Sequence, residues 1–440
     1  MTPTYSNLFP KFIALKSIST DPQFHSDIEK TATWLGEQFH KHGFEYKIVK
    51  GYENPIVLAT YTVNPQAQTV LIYGHYDVQP AQKEDGWDSD PFTVTEREGR
   101  LFARGAVDNK GQILIHMSTV FDLIIEGKLR YNVIFLIEGN EETGSPRLSD
   151  FIRDHQDVLK KADFALISDG ETTGGHPTLD VGFRGVINLQ ITLTTSDREL
   201  HSGLFGGVVP NAAQELSGLL GRLVDNKHEV TIPGFYDDAK PIDAELRKET
   251  QAFPIPQEEM LSLSGCSTLF VEPQANFFTK NGLLPTLEIT GITTGYAGEG
   301  FKNSIPSVAV AKINIRTAPK QDPWKQCETI VSYIRSQIPS YAKIEIIQDQ
   351  ISSGILLNHI HEYFMRAKTI MKDVYGKAPV LKLCGATLPI ANDFDKILHI
   401  PQIYASIGNE DCKMHAANEN YSLEFLNKGL EFSRAFLQKE

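Results

Sequence analysis

The sequence predicts an α/β domain with a mainly parallel central sheet flanked by helices, interrupted by a second domain of α+β character. Three observations predict it. Short apolar runs without polar alternation each end in acidic or imidazole side chains, a helix lies between two of them, and from about Arg184 the strands change to alternating apolar and polar residues.

The elements follow in order. Ile28, Ala32, Leu35 and Phe39 recur at helical spacing and Gly43 follows as a stop, which predicts an early amphipathic helix. Thr69–Tyr73 then reads as a buried strand running into Gly74-His75-Tyr76-Asp77. Asn132–Ile137 leads in the same way into Glu138-Gly139-Asn140-Glu141-Glu142, Phe164–Ile167 into Ser168-Asp169, and Gln402–Ile407 toward the loop that carries His415. Open α/β sheets place their sites just past such strand ends. Between the first two runs, Gly111–Glu126 reads as a helix with Ile113, Met117, Val120 and Ile124 on one face and Gly127 as its stop, which completes a βαβ pattern.

The second texture comprises the alternating strands Val186–Leu193 and Ala309–Ile315. A helix after Pro210 uses Leu216, Leu219, Leu220 and Leu223, and another covers Pro323–Ile338. Residues 231–283 are rich in Pro, Asp, Glu and Gln and show little periodicity, so they read as a long insertion and not as core. Near Lys382 the first texture returns. The expected division is therefore 1–183 with 383–440 against 184–382.

A chain of 440 residues exceeds what one core usually organises, in keeping with two domains. Its formal charge of −13, with no Lys/Arg-rich run to offset it, argues against nucleic acid and anionic lipid as partners. No apolar span is long enough for a bilayer and the N-terminus lacks a signal-peptide pattern, so a cytoplasmic location is expected. Cys266, Cys327, Cys384 and Cys412 have no CxxC spacing and read as reduced thiols.

His75, Asp108, the Glu141-Glu142 pair, Asp169 and His415 supply imidazole nitrogen and carboxylate oxygen, the donors that zinc-like ions take. Each alone has a plainer reading: Asp108 as a turn residue beside Asn109, the glutamates as a solvated loop, Asp169 as a turn start. Their joint occurrence at successive strand ends is what points to metal, and two imidazoles with three carboxylates serve two ions if one carboxylate bridges.

Several segments also carry a resemblance. Gly74–Pro80, Gly86–Phe92, Arg104–Gly111, Glu138–Ser145 and His201–Gly203 resemble the di-zinc metallopeptidase family of carnosinases, cytosolic nonspecific dipeptidases, aminoacylases and succinyl-diaminopimelate desuccinylase. The Gly-Trp-x-x-x-Pro-Phe stretch and the length favour its dipeptidase branch. The resemblance implies two divalent ions per subunit, zinc first with manganese or cobalt as alternatives. Asp108 would bridge them, with His75 and Asp169 on one and Glu142 and His415 on the other.

By the same resemblance, Asp77 would hold the His75 imidazole in its ligating tautomer, and a cis peptide would follow Asp108. Glu141 would be the general base acting on a water between the ions. His201 would contact the oxyanion, reaching in from the lid of a partner subunit, which makes 184–382 a lid and dimerisation domain and the protein a homodimer. Arg316 would hold the free carboxylate of a small peptide substrate, although it reads equally as a strand-end surface arginine, and Asn303 would lie near that carboxylate or the oxyanion. The stretch Lys382–Pro389 departs from the Gly-Gly-Ser-Ile-Pro loop of dipeptidase relatives; Gly385 and Thr387 there could still offer backbone and hydroxyl donors.

The reaction expected is metal-dependent hydrolysis of a dipeptide amide bond. Two alternatives remain at this point: an N-acyl-amino-acid amidohydrolase with the same metals, and a non-catalytic binding protein on the same fold.

Overall fold

A computed structural model describes residues 1–239, 244–251, 257–270 and 277–439. The chain divides into two units, one of Met1–Val181, Leu357–Lys382 and Pro389–Glu440, the other of Gly182–Leu356 and Leu383–Leu388.

The first unit is built on one sheet. Its strands run in the order Glu45–Val49, Ile56–Tyr61, Asn132–Glu138, Thr69–His75, Phe164–Ile167, Gln402–Ser406 and Thr178–Phe183, the last of which crosses into the second unit. The four central strands are mutually parallel and those flanking them antiparallel. All but the first residue of Thr69–His75 and of Asn132–Glu138 are buried, which is why these runs show no alternation. The helix Lys110–Ile125 packs on the His75 strand and is itself covered by the helices Pro3–Ile13 and Leu423–Leu437. Phe39 of the helix His25–Lys41 meets Phe44, Phe121 and Phe135 with ring centroids 5.0 to 5.9 Å apart.

The second unit has a four-stranded antiparallel sheet ordered Thr286–Thr294, Val308–Thr317, Gly185–Thr194 and Lys343–Ser352. Its alternating residues Ile187, Leu189, Ile191 and Leu193 point into a core shared with Leu216, Leu219 and Leu220 of the helix Ala212–Leu220 and with Ile330 and Ile334 of the helix Pro323–Ser336. Among the described residues no helix is long and apolar enough to cross a membrane.

The structure corrects three readings. The return to the first unit comes at Leu357, not near 383, because the helix Glu362–Tyr375 belongs there: Tyr363 stacks on Phe164 at 4.0 Å and receives a hydrogen bond from Gln68. The segment Leu383–Leu388 then goes back to the second unit. Finally, 231–283 is not devoid of core. Ile232 and Phe235 are buried in the second unit's core, and helices Ala244–Gln251, Gln257–Ser264 and Phe277–Leu283 occupy part of the stretch. The remainder of that stretch lies outside the described residues.

Candidate active site

His75 is the last residue of its strand and is wholly buried. Its Nδ1 lies 3.0 Å from the carbonyl oxygen of Asp77 and 3.4 Å from that residue's carboxylate. A carbonyl only accepts, so Nδ1 carries the proton and Nε2 presents a lone pair. That lone pair faces Asp108 Oδ1 at 3.1 Å, Asp169 Oδ2 at 3.6 Å and Glu141 Oε2 at 4.0 Å.

Asp108 sits between the two histidines, its other oxygen 2.7 Å from His415 Nε2. Glu142 Oε2 is 3.3 Å from the same imidazole nitrogen. The peptide bond Asp108–Asn109 is cis, as the resemblance implied. Two groups of three ligand atoms result, one from His75, Asp108 and Asp169 and one from Asp108, Glu142 and His415, each with its atoms within 4.8 Å of one another. Ligands about 2.1 Å from a common tetrahedral ion stand roughly 3.4 Å apart, so both groups are of the right size.

The donor chemistry fits as well. Buried His75 Nε2 has no properly directed hydrogen bond, and a buried polar atom in that state wants a partner. Carboxylates outnumber imidazoles in the cluster. Asp108 and then Glu142 push His415 up to about 10, which expresses a demand for positive charge between them. Desolvation, with Asp169, Asp108 and Asp77 nearby, raises the Glu141 carboxyl well above its ordinary range. Its side chain stays 27% exposed and takes no hydrogen bond among the described residues.

Apart from Asp77, sequence reasoning passed over the residues that hold this cluster together. Asn109, wholly buried, donates from Nδ2 to Ser168 O and to Asp169 Oδ1 and accepts the His75 N–H, tying two strand ends to the loop of Asp108. Gln79 donates to Glu142 Oε2 at 2.7 Å. Asp77 spends its carboxylate on the glutamate turn, accepting the N–H groups of Glu141 and Glu142. Glu419 grips the Asp108 loop from the His415 side. The one available signal was that Gln79 and Asn109 lie inside the motifs quoted for the resemblance.

The remaining site residues lie in the second unit, in two groups. His201 and Asn303 are neighbours: Leu200–His201 pairs with Ser304–Ile305, and the Ser202 N–H donates to Asn303 O at 3.1 Å. His201 Nδ1 accepts the Gly203 N–H at 3.0 Å, which leaves Nε2 as the protonated nitrogen of the neutral ring. Arg316 donates to Thr387 Oγ1 at 2.8 Å. Gly385 accepts at its carbonyl from Arg184 Nε at 2.9 Å. Arg184 also donates to Leu284 O, Thr286 Oγ1 and Asn281 Oδ1, so it pins the 385–387 loop, a role that sequence reasoning missed. No carboxylate pairs with Arg184 or Arg316 among the described residues.

The chain matches Peptidase family M20/M25/M40 over residues 71–439. The chain belongs to that family. It is a metallopeptidase, of an M20 type whose relatives span nearly its whole length. The Cys-Gly metallodipeptidase DUG1 of Candida albicans is 29% identical over 95% of this chain and 91% of its own. The Beta-Ala-His dipeptidase of Rattus norvegicus is 31% identical, covering 87% of this chain and 79% of its own. Among solved structures, the M20 family metallo-carboxypeptidase Sso-CP2 from Sulfolobus solfataricus superposes with a TM-score of 0.88 at 29% identity over 99% of both chains.

Proposed function

We propose that this M20 metallopeptidase hydrolyses the amide bond of dipeptides or similar small peptides at a pair of divalent ions that share Asp108, with Glu141 as general base. The observation that carries the reading is the Asp108 carboxylate, with one oxygen at His75 Nε2 and the other at His415 Nε2. His75 and Asp169 would complete one cation site, Glu142 and His415 the other. When bound, the cations supply Lewis acidity that polarises the scissile carbonyl and brings the pKa of water from about 15.7 toward ~7. Imidazole and carboxylate donors without thiolate suit zinc, with manganese and cobalt as alternatives.

The rest of the reaction belongs to side chains. Glu141, whose side chain takes no hydrogen bond among the described residues, takes the proton of the attacking water. It then passes that proton to the leaving amine. Asp77 holds Glu141 and Glu142 in divergent directions from one turn. His201 offers Nε2–H to the oxyanion, with Asn303 beside it. Arg316, with Thr387 next to it, offers its guanidinium to the free carboxylate of the substrate, the residue type that binds carboxylates through paired N–H groups. The dipeptidase names of the relatives above favour a dipeptide over an N-acyl amino acid.

The second unit also supports a homodimer. Leu204, Val208, Ile292 and Phe301 are largely exposed on it, and Thr286–Thr294 is an edge strand. Cys266, Cys327, Cys384 and Cys412 form no disulfide among the described residues, in keeping with the cytoplasm.

The test is metal removal with a chelator, reloading with zinc, manganese or cobalt, and assay on a panel of dipeptides beside N-acetyl and N-succinyl amino acids. Dipeptide turnover that vanishes with the metal and returns on reloading is expected. Turnover of the acylated amino acids alone would move the reading to a deacylase, and turnover of nothing by any metal form would remove it.

A further inference from the structure

Glu419 lies four residues beyond His415 and is wholly buried. Its carboxylate takes four donors from the stretch that ends at Asp108. Oε1 accepts the N–H of Val107 at 2.9 Å and of Asp108 at 3.1 Å, while Oε2 accepts the N–H of Gly105 at 2.9 Å and Nη1 of Arg104 at 2.8 Å. The backbones are joined on the same side, with Ala103 N–H donating to Glu419 O and Asn420 paired to Phe102.

The gripped loop has no slack. Gly111 N–H closes back on Gly105 O at 3.0 Å, and a Cβ on Gly111 would stand 1.8 Å from Ala106 O. Gly105 itself needs φ +81°. Three amides turned toward a single carboxylate leave the loop one arrangement, and the Asp108 side chain departs from the last of them.

We propose that Glu419 is a positioning residue that sets the affinity for the metal pair, by fixing the backbone that presents Asp108 and locking it to the loop that presents His415. The inference rests on the metal reading above. It assigns Glu419 no contact with cation or substrate. Its influence passes through amide hydrogen bonds, and such outer partners of metal ligands typically change affinity by about 10–100-fold when removed.

Glu419→Gln is the informative change. A carboxamide has one acceptor oxygen; its NH2 group would face either the Gly105 N–H and Arg104 or the N–H groups of Val107 and Asp108, and donor against donor cannot bond. Metal-free wild type and variant are titrated with cobalt(II), following binding by calorimetry and the ligand-field absorption in the visible, with thermal unfolding of both metal-free proteins as control.

Wild type is expected to take two cobalt ions. Glu419→Gln is expected to bind them about 10–100-fold more weakly, with an altered visible spectrum at saturation, while the metal-free forms unfold at similar temperatures. A spectrum and affinities equal to wild type would overturn the inference, even if the variant melted earlier, since that is what a merely structural role gives. If Glu419→Gln does not fold, Glu419→Asp keeps the charge but withdraws it by one methylene, and the same loss of affinity is expected; unchanged binding there overturns the inference too. Wild type that binds no cobalt would instead overturn the metal reading itself.

Discussion

The carboxylate of Asp77 accepts the backbone N–H of Glu141 at 3.2 Å, and its second oxygen accepts that of Glu142 at 3.1 Å. Because the carbonyl of Asp77 also meets His75 Nδ1, one residue fixes a buried imidazole and the turn bearing both glutamates. Asp77→Ala leaves two N–H groups without acceptors. It is expected to lower kcat by about 10–100-fold with a smaller change in KM, the usual cost of removing a group that orients metal-site residues. Steady-state kinetics with the bound metal measured in the same sample checks this, and an unchanged kcat at full loading would refute it.

Arg316 makes its described hydrogen bond to a neutral hydroxyl, Thr387 Oγ1, and none to a carboxylate. Arg316→Ala is expected to raise KM for dipeptides by about 10–100-fold, the worth of a charged hydrogen bond of about 1.5–3 kcal/mol, with kcat little changed. Dipeptide amides, which lack the carboxylate, should be hydrolysed alike by variant and wild type. Equal KM penalties for both substrate types would show that Arg316 does something else.

His201 and Glu141 belong to different units of the chain. If the lid of one subunit serves the site of its partner, mixing a His201→Ala chain with a Glu141→Ala chain should restore activity that neither homodimer has. Each mixed dimer would then hold one site with both residues intact. No recovery in a verified mixed dimer would place His201 in its own subunit's site or outside catalysis.

A pH effect follows from His116, which the reaction does not use. It is fully buried between Ser433 Oγ and Ser168 Oγ, each 2.9 Å from a ring nitrogen, and burial depresses its pKa from 6.5 to about 3. The unfolded chain therefore binds a proton near pH 6.5 that the native state refuses, so stability is present above that pH and is lost as pH falls toward 3. By pH 5 the loss is about 2 kcal/mol, at 1.36 kcal/mol per pH unit. Urea unfolding of wild type and His116→Asn at pH 7 and pH 5 should show a shallower acid loss in the variant; equal slopes would exclude His116 as the source.

What was legible in the sequence depended on how a residue acts. The proposed ligands His75, Asp108, Glu142, Asp169 and His415 would act with their own side chains, and both their type and their place can be read along the chain. Asn109, Gln79 and Glu419 act by bonding to something else, often backbone, and nothing in a lone amide or carboxylate tells which N–H it will meet. Arg184 is a like case, because its four partners span 281–385 and converge only when the sheet has formed. The helix Pro3–Ile13 went unread because it is short and contains Pro10, although Leu8, Phe9, Phe12 and Ile13 all enter the core. Ile232 and Phe235 show how two isolated apolar residues inside a polar stretch can still be core, since periodicity needs a regular element and burial does not.

The two ligand groups are unequal in exposure: His75 is sealed in, whereas the side chain of His415 is 53% exposed. Solvent, and any competing chelator, thus has a wider approach to the His415 end than to the His75 end. Demetallation is expected to proceed in order, through a form holding a single cation at the inner position. Such an enzyme would follow the metal supply around it through the outer position, while the inner ion stayed in place across many turnovers.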